Sequence, residues 1–401
     1  MNVGLVTDFY YPWIAGPSIL IRNLGHGLLA RGHYVSLLAP SPSGRAFIES
    51  DGAMDIKRVH TARSPVGHEL RFAPWPWRQA GDWLDRVRPD VVHIHHPFPL
   101  SIATLLLARR RGIPVAATNH TIPACSLYGM REMSVLYPLA HAITARWLIA
   151  VLNRCTLVAT PTQTAAGLLH DLGFRKPVRV ISNGVDTNRF RPGPPDPALR
   201  TRLGLDERPI VLYTGRLDAE KDMDTWLRAA TIVRRSHDVQ FVVGGTGSER
   251  ARLEHLAAEL QLEGAVRFMG YLSDDEFPSI YRLATLYLIT SPVELQSIST
   301  LEAVSSGLPV VAVAAGALPE LVREGMNGYC AAVGDAHALA AAVVSILANA
   351  ATAPAIESVS RSLGLTHDLE ESIRQYESFL VETLATEGGM QRRERSGFVW
   401  G

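Results

Sequence analysis

Short apolar runs recur along the first half of the chain. Most are followed by a polar or glycine-bearing turn, and several then lead into a stretch with apolar positions three and four residues apart. Residues 2–8 (NVGLVTD), 35–39, 90–95 (DVVHIH), 114–119 (PVAATN), 156–160 and 177–181 are short and almost uniformly apolar, which is the signature of strands buried on both faces. Residues 55–60 form a further candidate strand. Residues 19–30 carry a helical period that Gly32 stops, and 128–153 form a long helical region rich in Leu, Ala and Ile. The alternation restarts at 209–213 (PIVLY) and continues through strands at 239–244, 266–269, 285–290 and 308–313. Helices are predicted between and after them at 223–234, 275–283, 298–305 and 368–383. Alternation of this kind builds parallel sheets covered by helices. Two such sets in 401 residues predict two α/β domains.

The segment RPGPPD at 191–196 separates the sets and reads as linker by composition. The predicted boundaries are a first domain over 1–185, a linker over 186–207 and a second domain over 208–365. A C-terminal helix over 366–384 and a disordered tail over 385–401 complete the chain.

A hydrophobic fraction of 47% is ordinary for a globular protein. Three scattered cysteines, Cys125, Cys155 and Cys330, argue against a disulfide framework and fit a reducing, cytoplasmic setting. No basic segment followed by an apolar one opens the chain, and no apolar run approaches the ~20 residues that span a bilayer. The zero net charge conceals an asymmetry. Residues 1–200 hold 22 Lys+Arg against 12 Asp+Glu, or +10, and residues 201–401 hold 17 against 27, or −10. A basic half suits an anionic acceptor or a membrane surface, or else complements the acidic half. Residues 62–78 mix Arg63, Arg71 and Arg78 with Phe72, Trp75 and Trp77, a pairing suited to a membrane interface, a sugar acceptor or simple packing onto a sheet.

Candidate chemistry concentrates at strand ends. In SPVELQSISTLEAVSSGLPVVAV (291–313), Glu294 falls in a loop after a strand and Glu302 in the first turn of the next helix. There a helix N-terminus suits a phosphate and a carboxylate suits sugar hydroxyls, although Ser299 and Glu302 also have capping-box spacing. In TGRLDAEK (214–221), Arg216 and Lys221 flank a strand-to-helix loop where two cations would hold a diphosphate; surface charge is the other reading. The glycines of 244–247 permit close backbone approach to a nucleotide. His93, His95 and His96 resemble metal ligands in spacing, but His96 points away from the other two and no Cys or carboxylate set completes a site. His120, just past a strand end, sits where α/β domains bind ligands.

The E-x7-E spacing of Glu294 and Glu302, together with GR-L-x-x-E-K around Arg216 and Lys221, resembles the signature of retaining glycosyltransferases of family four. The TNHTIP segment around His120 is similar to family members that glycosylate diacylglycerol or phosphatidylinositol. The resemblance implies the GT-B fold: two Rossmann-like domains with parallel sheets facing a central cleft. It implies a hexosyltransferase using a nucleotide-diphosphate sugar, a UDP-sugar first among them, with no metal required. Donor contacts would come from Gly16, Gly215, Arg216, Lys221, Gly245, Gly270, Tyr271, Glu294, Ser297, Ile298 and Glu302. Catalysis would involve His120, Arg216, Lys221 and Glu294. Two positions depart from the family pattern. Gln296 and Ser297 stand where many relatives have glycine, and Gly16 is followed by Pro17 rather than a second glycine. The expected acceptor is a lipid, diacylglycerol or a glycolipid, reached peripherally at a membrane. The alternatives are the same chemistry on a sugar phosphate or polysaccharide, or a non-catalytic sugar-nucleotide-binding protein. No nucleic-acid motif competes.

Overall fold

The computed structural model describes residues 1–63, 71–128, 136–349 and 353–396. The chain divides into two units. Residues 1–126, 133–183 and 370–401 form the first, and residues 127–132 and 184–369 form the second.

Unit 1 begins with β1 (Asn2–Val6), α1 (Gly16–Ala30) and β2 (Tyr34–Pro40), then a hairpin of β3 (Phe47–Asp51) and β4 (Met54–Val59). A two-residue pair, β5 (Ala62–Arg63) and β6 (Arg71–Phe72), precedes α2 (Trp77–Val87), β7 (Val91–Ile94), α3 (Pro99–Arg110) and β8 (Val115–Thr118). After α4 (Pro123–Ser126) come α5 (Leu136–Leu152), β9 (Leu157–Thr160), α6 (Gln163–Asp171) and β10 (Val178–Val180). The sheet order is β10-β9-β8-β7-β1-β2-β4-β3, and every pairing is parallel except that of β3 with β4. Its inner strands are buried along their length, which is why they read as uniformly apolar.

Unit 2 runs through α7 (Pro197–Arg202), β11 (Ile210–Thr214), α8 (Met223–Val233), β12 (Gln240–Gly244), α9 (Arg250–Glu259), β13 (Val266–Gly270) and α10 (Glu276–Leu283). It continues with β14 (Leu286–Ile289), α11 (Ile298–Ser305), β15 (Val310–Val313), β16 (Gly328–Ala331), α12 (Ala336–Ala348) and α13 (Ala353–Leu365). Its sheet is wholly parallel in the order β13-β12-β11-β14-β15-β16. Tyr213, Trp226, Phe241, Tyr281 and Tyr287 fill the core beside the aliphatic strand residues.

The last helix, α14 (Leu369–Ser396), returns to unit 1. Tyr376, Phe379 and Leu380 join the cluster formed by Val3, Leu5, Leu20 and Leu24. Glu377 pairs with His33 at 2.7 Å and with Arg31 at 3.3 Å, and Glu382 pairs with Arg179 at 2.7 Å.

Three expectations need correction. The tail from 385 is helical as far as Ser396, because it prolongs a helix already anchored on the sheet; residues 397–401 lie outside the described residues. The linker contains α7, whose N-terminus Asp196 caps by accepting from Ala198 N at 3.0 Å and Leu199 N at 3.1 Å, with Leu199 buried in the unit 2 core. The first helix, predicted over 19–30, begins three residues earlier at Gly16, where Pro17 suits the opening turn. The parts of the 62–78 and 128–153 readings that fall on residues 64–70 and 129–135 lie outside the described residues.

Candidate functional site

In unit 2 the strand order reverses between β11 and β14, and open α/β sheets bind ligands outside the carboxyl ends of the strands at such a reversal. Gly215 and Arg216 follow β11, and Lys221 closes a single 3-10 turn, Ala219–Lys221, before α8. The loop after β14 brings Glu294 to it: Lys221 Nζ donates to Glu294 Oε1 at 2.8 Å, with both side chains mostly buried. Two further bonds tie the loops together. Thr290 Oγ1 donates to the Lys221 carbonyl at 3.0 Å, and Ser291 Oγ donates to the Glu220 carbonyl at 3.2 Å. Burial alone would raise the Glu294 pKa. The Lys221 charge and hydrogen bond, the Ser291 bond and the Arg216 charge outweigh it and hold the carboxyl below its ordinary value. Arg216 donates to Glu220 Oε1 at 2.6 Å and to Asp218. Asp218 is fixed in turn by Ser248, whose N and Oγ donate at 3.0 and 2.9 Å. Both cations are thus aimed and charge-matched, and an entering anion would compete with carboxylates for them.

Backbone shapes the floor of this region. Gly245 has φ +141°, and a Cβ there would lie 1.9 Å from the Gly215 carbonyl oxygen. Gly245 N donates to the Gly270 carbonyl at 2.7 Å, so Gly215, Gly245 and Gly270 form one continuous seam that admits no side chain at its centre. Gly316, at φ +54°, closes on the Glu294 backbone; a Cβ would come within 2.4 Å of the Glu294 carbonyl, which accepts from Ala317 N at 2.8 Å. Tyr271 stands apart, 65% exposed.

α11 spans Ile298–Ser305 as predicted, but its N-cap lies two residues before the Ser299 that the capping-box spacing would make the cap. Ser297, in extended conformation, is the N-cap, and its Oγ accepts from Thr300 N at 3.2 Å. Ile298 is then the first helical residue, and Glu302 sits in the second turn rather than the first. Glu302 is buried, and its Oε2 accepts from the Tyr281 hydroxyl at 2.7 Å. That hydroxyl also lies 2.6 Å from Thr214 Oγ1. The Tyr287 hydroxyl lies 3.0 Å from the Thr214 carbonyl and 2.8 Å from Ser299 Oγ. Burial pushes the Glu302 carboxyl up to about 7, partly offset by the Tyr281 bond and the Arg189 charge. The two tyrosines escaped sequence reasoning. Both lie in apolar runs that read as core, and only their hydroxyls betray a second role.

Unit 1 reverses its strand order between β1 and β7, and its polar residues gather there. Asp8, just past β1, accepts from Leu100 N at 2.9 Å, Ser101 N at 3.2 Å and Ser101 Oγ at 2.6 Å, capping α3 from a distant part of the chain. Burial raises its pKa to about 6 against those bonds. Thr7 Oγ1 donates to the Phe9 carbonyl at 2.8 Å, so His96 Nδ1, 3.1 Å from that oxygen, is the donor between them. His93 on β7 and His95 just past its end bring their rings to 4.1 Å between centroids, and His95 Nδ1 meets His120 Nε2 at 3.2 Å. Burial pushes the His93 and His120 pKa values down to about 3 and those of His95 and His96 well below the usual range, so all four rings are neutral. Among the described residues, no three or more His, Cys, Asp or Glu side chains are grouped to hold a metal ion.

The structure therefore joins Gly215, Arg216, Lys221, Gly245, Gly270, Glu294, Ser297, Ile298 and Glu302 at one sheet reversal. It leaves Tyr271 outside the bonded network, and it puts Gly16 and His120 in the other unit.

Comparison with known proteins agrees along the chain. Residues 14–189 match the family model "Glycosyltransferase Family 4", and residues 196–361 match "Glycosyl transferases group 1". A GDP-mannose-dependent alpha-mannosyltransferase of Corynebacterium glutamicum is 30% identical over 341 residues, 84% of this chain and 78% of the relative. An alpha-monoglucosyldiacylglycerol synthase of Streptococcus pneumoniae is 27% identical over 353 residues, 86% of this chain and 78% of the relative. The crystal structure of Anabaena HepE in complex with UDP and glucose has a TM-score of 0.76 at 18% identity, covering 95% of this chain and 99% of the other, a likeness of fold.

Proposed function

The chain belongs to the family-four glycosyltransferases and has their GT-B fold, and from that premise we propose that it transfers a hexose from a UDP-sugar to a lipid acceptor with retention of anomeric configuration. The observation that carries this reading is the Lys221–Glu294 pair, 2.8 Å apart, beside Arg216 at the sheet reversal of unit 2. Arg216 and Lys221 bind the diphosphate. Glu302 binds the ribose hydroxyls, and Glu294 and His120 recognise the transferred sugar. The glycine seam of Gly215, Gly245 and Gly270 lets the nucleotide lie against backbone.

In the reaction the bond between the anomeric carbon and the diphosphate oxygen breaks and one to the acceptor oxygen forms on the same face. The departing diphosphate takes the acceptor's proton. The protein's contribution is electrostatic: Arg216 and Lys221, held at the sheet reversal by Asp218, Glu220 and Glu294, exchange part of that carboxylate pairing for the leaving charge. A UDP donor is supported by the UDP bound in the HepE structure, and a lipid acceptor by the diacylglycerol-linked relative. The test is incubation with a panel of nucleotide sugars and a total lipid extract, followed by mass spectrometry and NMR of the anomeric linkage. A glycolipid with the donor's anomeric configuration is expected. Product only with soluble sugars or sugar phosphates would overturn the acceptor assignment.

A further inference from the structure

The histidines of unit 1 form an array whose proton positions follow from its contacts. The rings of His93, on β7, and His95, just past its end, lie with centroids 4.1 Å apart and planes tilted by 43°, and each has one partnered nitrogen and one bare one. His93 Nε2 lies 2.8 Å from Thr118 Oγ1, while its Nδ1 is buried without a partner among the described residues. His95 Nδ1 lies 3.2 Å from His120 Nε2, while its Nε2 is buried without a partner among the described residues. The His95 and His120 planes are 9° from parallel with centroids 5.5 Å apart, so the short contact is edge to edge, as an in-plane N–H···N bond requires.

Such a contact between neutral rings holds one proton. Were it on His120 Nε2, the proton of His95 would sit on its own Nε2, a buried N–H with no acceptor. With the proton on His95 Nδ1, the unpaired atom is only a lone pair, the less costly arrangement. We propose that His95 is a positioning residue: it donates from Nδ1 to His120 Nε2 and thereby fixes His120 as the tautomer protonated on Nδ1. His120 is half-buried, and its Nδ1 has no partner among the described residues. The group it offers a ligand is therefore an N–H. His120 acts as a hydrogen-bond donor to a sugar oxygen and not as a base that removes a proton. The identity of that oxygen's owner rests on the reading of His120 as a sugar contact; the tautomer does not.

Two measurements separate these layers. In protein labelled with 15N in its histidines, long-range 1H–15N correlation should show His120 with a protonated Nδ1 and a bare Nε2. His95→Asn puts an amide N–H where His95 Nδ1 stood, so it should preserve that pattern, and His95→Phe should lose it. Wild-type protein with the proton on His120 Nε2, or an unchanged tautomer in H95F, would overturn the proposal. UDP release from UDP-glucose provides the second measurement. H95F should lower the rate about tenfold, the equivalent of one hydrogen bond, and H95N should recover most of the loss. In a His120→Ala background, H95F should cost nothing further, because His95 acts only through His120. Additive losses would mean a merely structural role and would sink the idea. If H120A itself turns over within twofold of wild type, the sugar-contact reading falls while the tautomer result stands.

Discussion

At the scale of the residue, two carboxyls of unit 2 are driven in opposite directions by their surroundings. Glu294 is buried yet ionised because Lys221 and Ser291 bond to it and Arg216 lies near. Glu302 is buried against Tyr281 and moves from 4.5 to about 7. A carboxyl whose folded pKa is raised contributes stability that is full below about 4.5 and is lost as pH rises through 7, by roughly 3 kcal/mol for a shift of this size. Glu302→Gln should therefore flatten the fall in melting temperature between pH 5 and pH 7 relative to wild type. A ribose-binding role adds a second expectation of known sign. Ionised Glu302 accepts the ribose hydroxyls, so UDP affinity should tighten as pH rises through 7 in wild type and change less in E302Q. Calorimetric titration at pH 6 and pH 8 with both proteins isolates the residue from the titration of UDP itself; identical pH dependence would remove Glu302 from the ribose site. Lys221→Ala should slow UDP-glucose turnover by about 10² to 10³, the effect of losing one preorganised contact to developing charge. A rate within twofold of wild type would remove Lys221 from the diphosphate.

At the scale of the element, α3 opens without a cap of its own and borrows Asp8 from the end of β1. Asp8→Ala leaves the amides of Leu100 and Ser101 and the Ser101 hydroxyl without that acceptor, which should cost about 2–3 kcal/mol. Asp8→Asn keeps one oxygen and should cost less. Denaturant midpoints at constant slope measure the difference, and equal stabilities for the two variants would contradict the capping role. The example also marks the limit of reading elements from sequence. Buried strands were legible because parallel sheets make them apolar on both faces, and α11 was legible because Gly307 marks its end. The Asp8 cap was not, since its partners lie more than ninety residues away. α2 was missed because Pro74 and Pro76 obscure its start and its Trp, Arg and Asp residues read as an irregular surface segment. The β3–β4 hairpin was only half seen, because β3 alternates half-buried and exposed residues with no apolar run. At the site, charges were legible from their motifs, whereas Tyr281 and Tyr287 depend on contacts made only when β11, α10, β14 and α11 assemble.

At the scale of the whole molecule, the proposed lipid acceptor requires a route to a membrane for a chain with no single helix, among the described residues, long and apolar enough to cross one. The first 200 residues carry +10, and unit 1 presents apolar side chains to solvent. Trp75 is 76% exposed. On α5, Leu139, Ile143 and Trp147 are 61%, 60% and 52% exposed at a spacing of four residues, so they form one stripe. Trp147 is held in place by its indole N–H, which donates to the Pro97 carbonyl at 2.9 Å. A stripe of this kind on a helix that also carries the exposed Arg146 matches an interfacial helix. We therefore expect peripheral binding with two separable components. Basic residues near an anionic surface contribute about 1 kcal/mol each and are screened within a Debye length of about 8 Å at physiological salt. The apolar stripe contributes through buried area that salt does not screen. Co-sedimentation should show more protein on anionic than on neutral vesicles, with the difference shrinking as salt is raised. Leu139→Ser with Ile143→Ser should lower binding about tenfold or more at high salt, where the electrostatic component is weak, and leave unfolding midpoints nearly unchanged because both side chains are exposed. Trp75→Ala should lower it further if the loop before α2 touches the same surface. If anionic and neutral vesicles retain equally little protein at low salt, the stripe serves some other contact and the lipid acceptor loses its physical route.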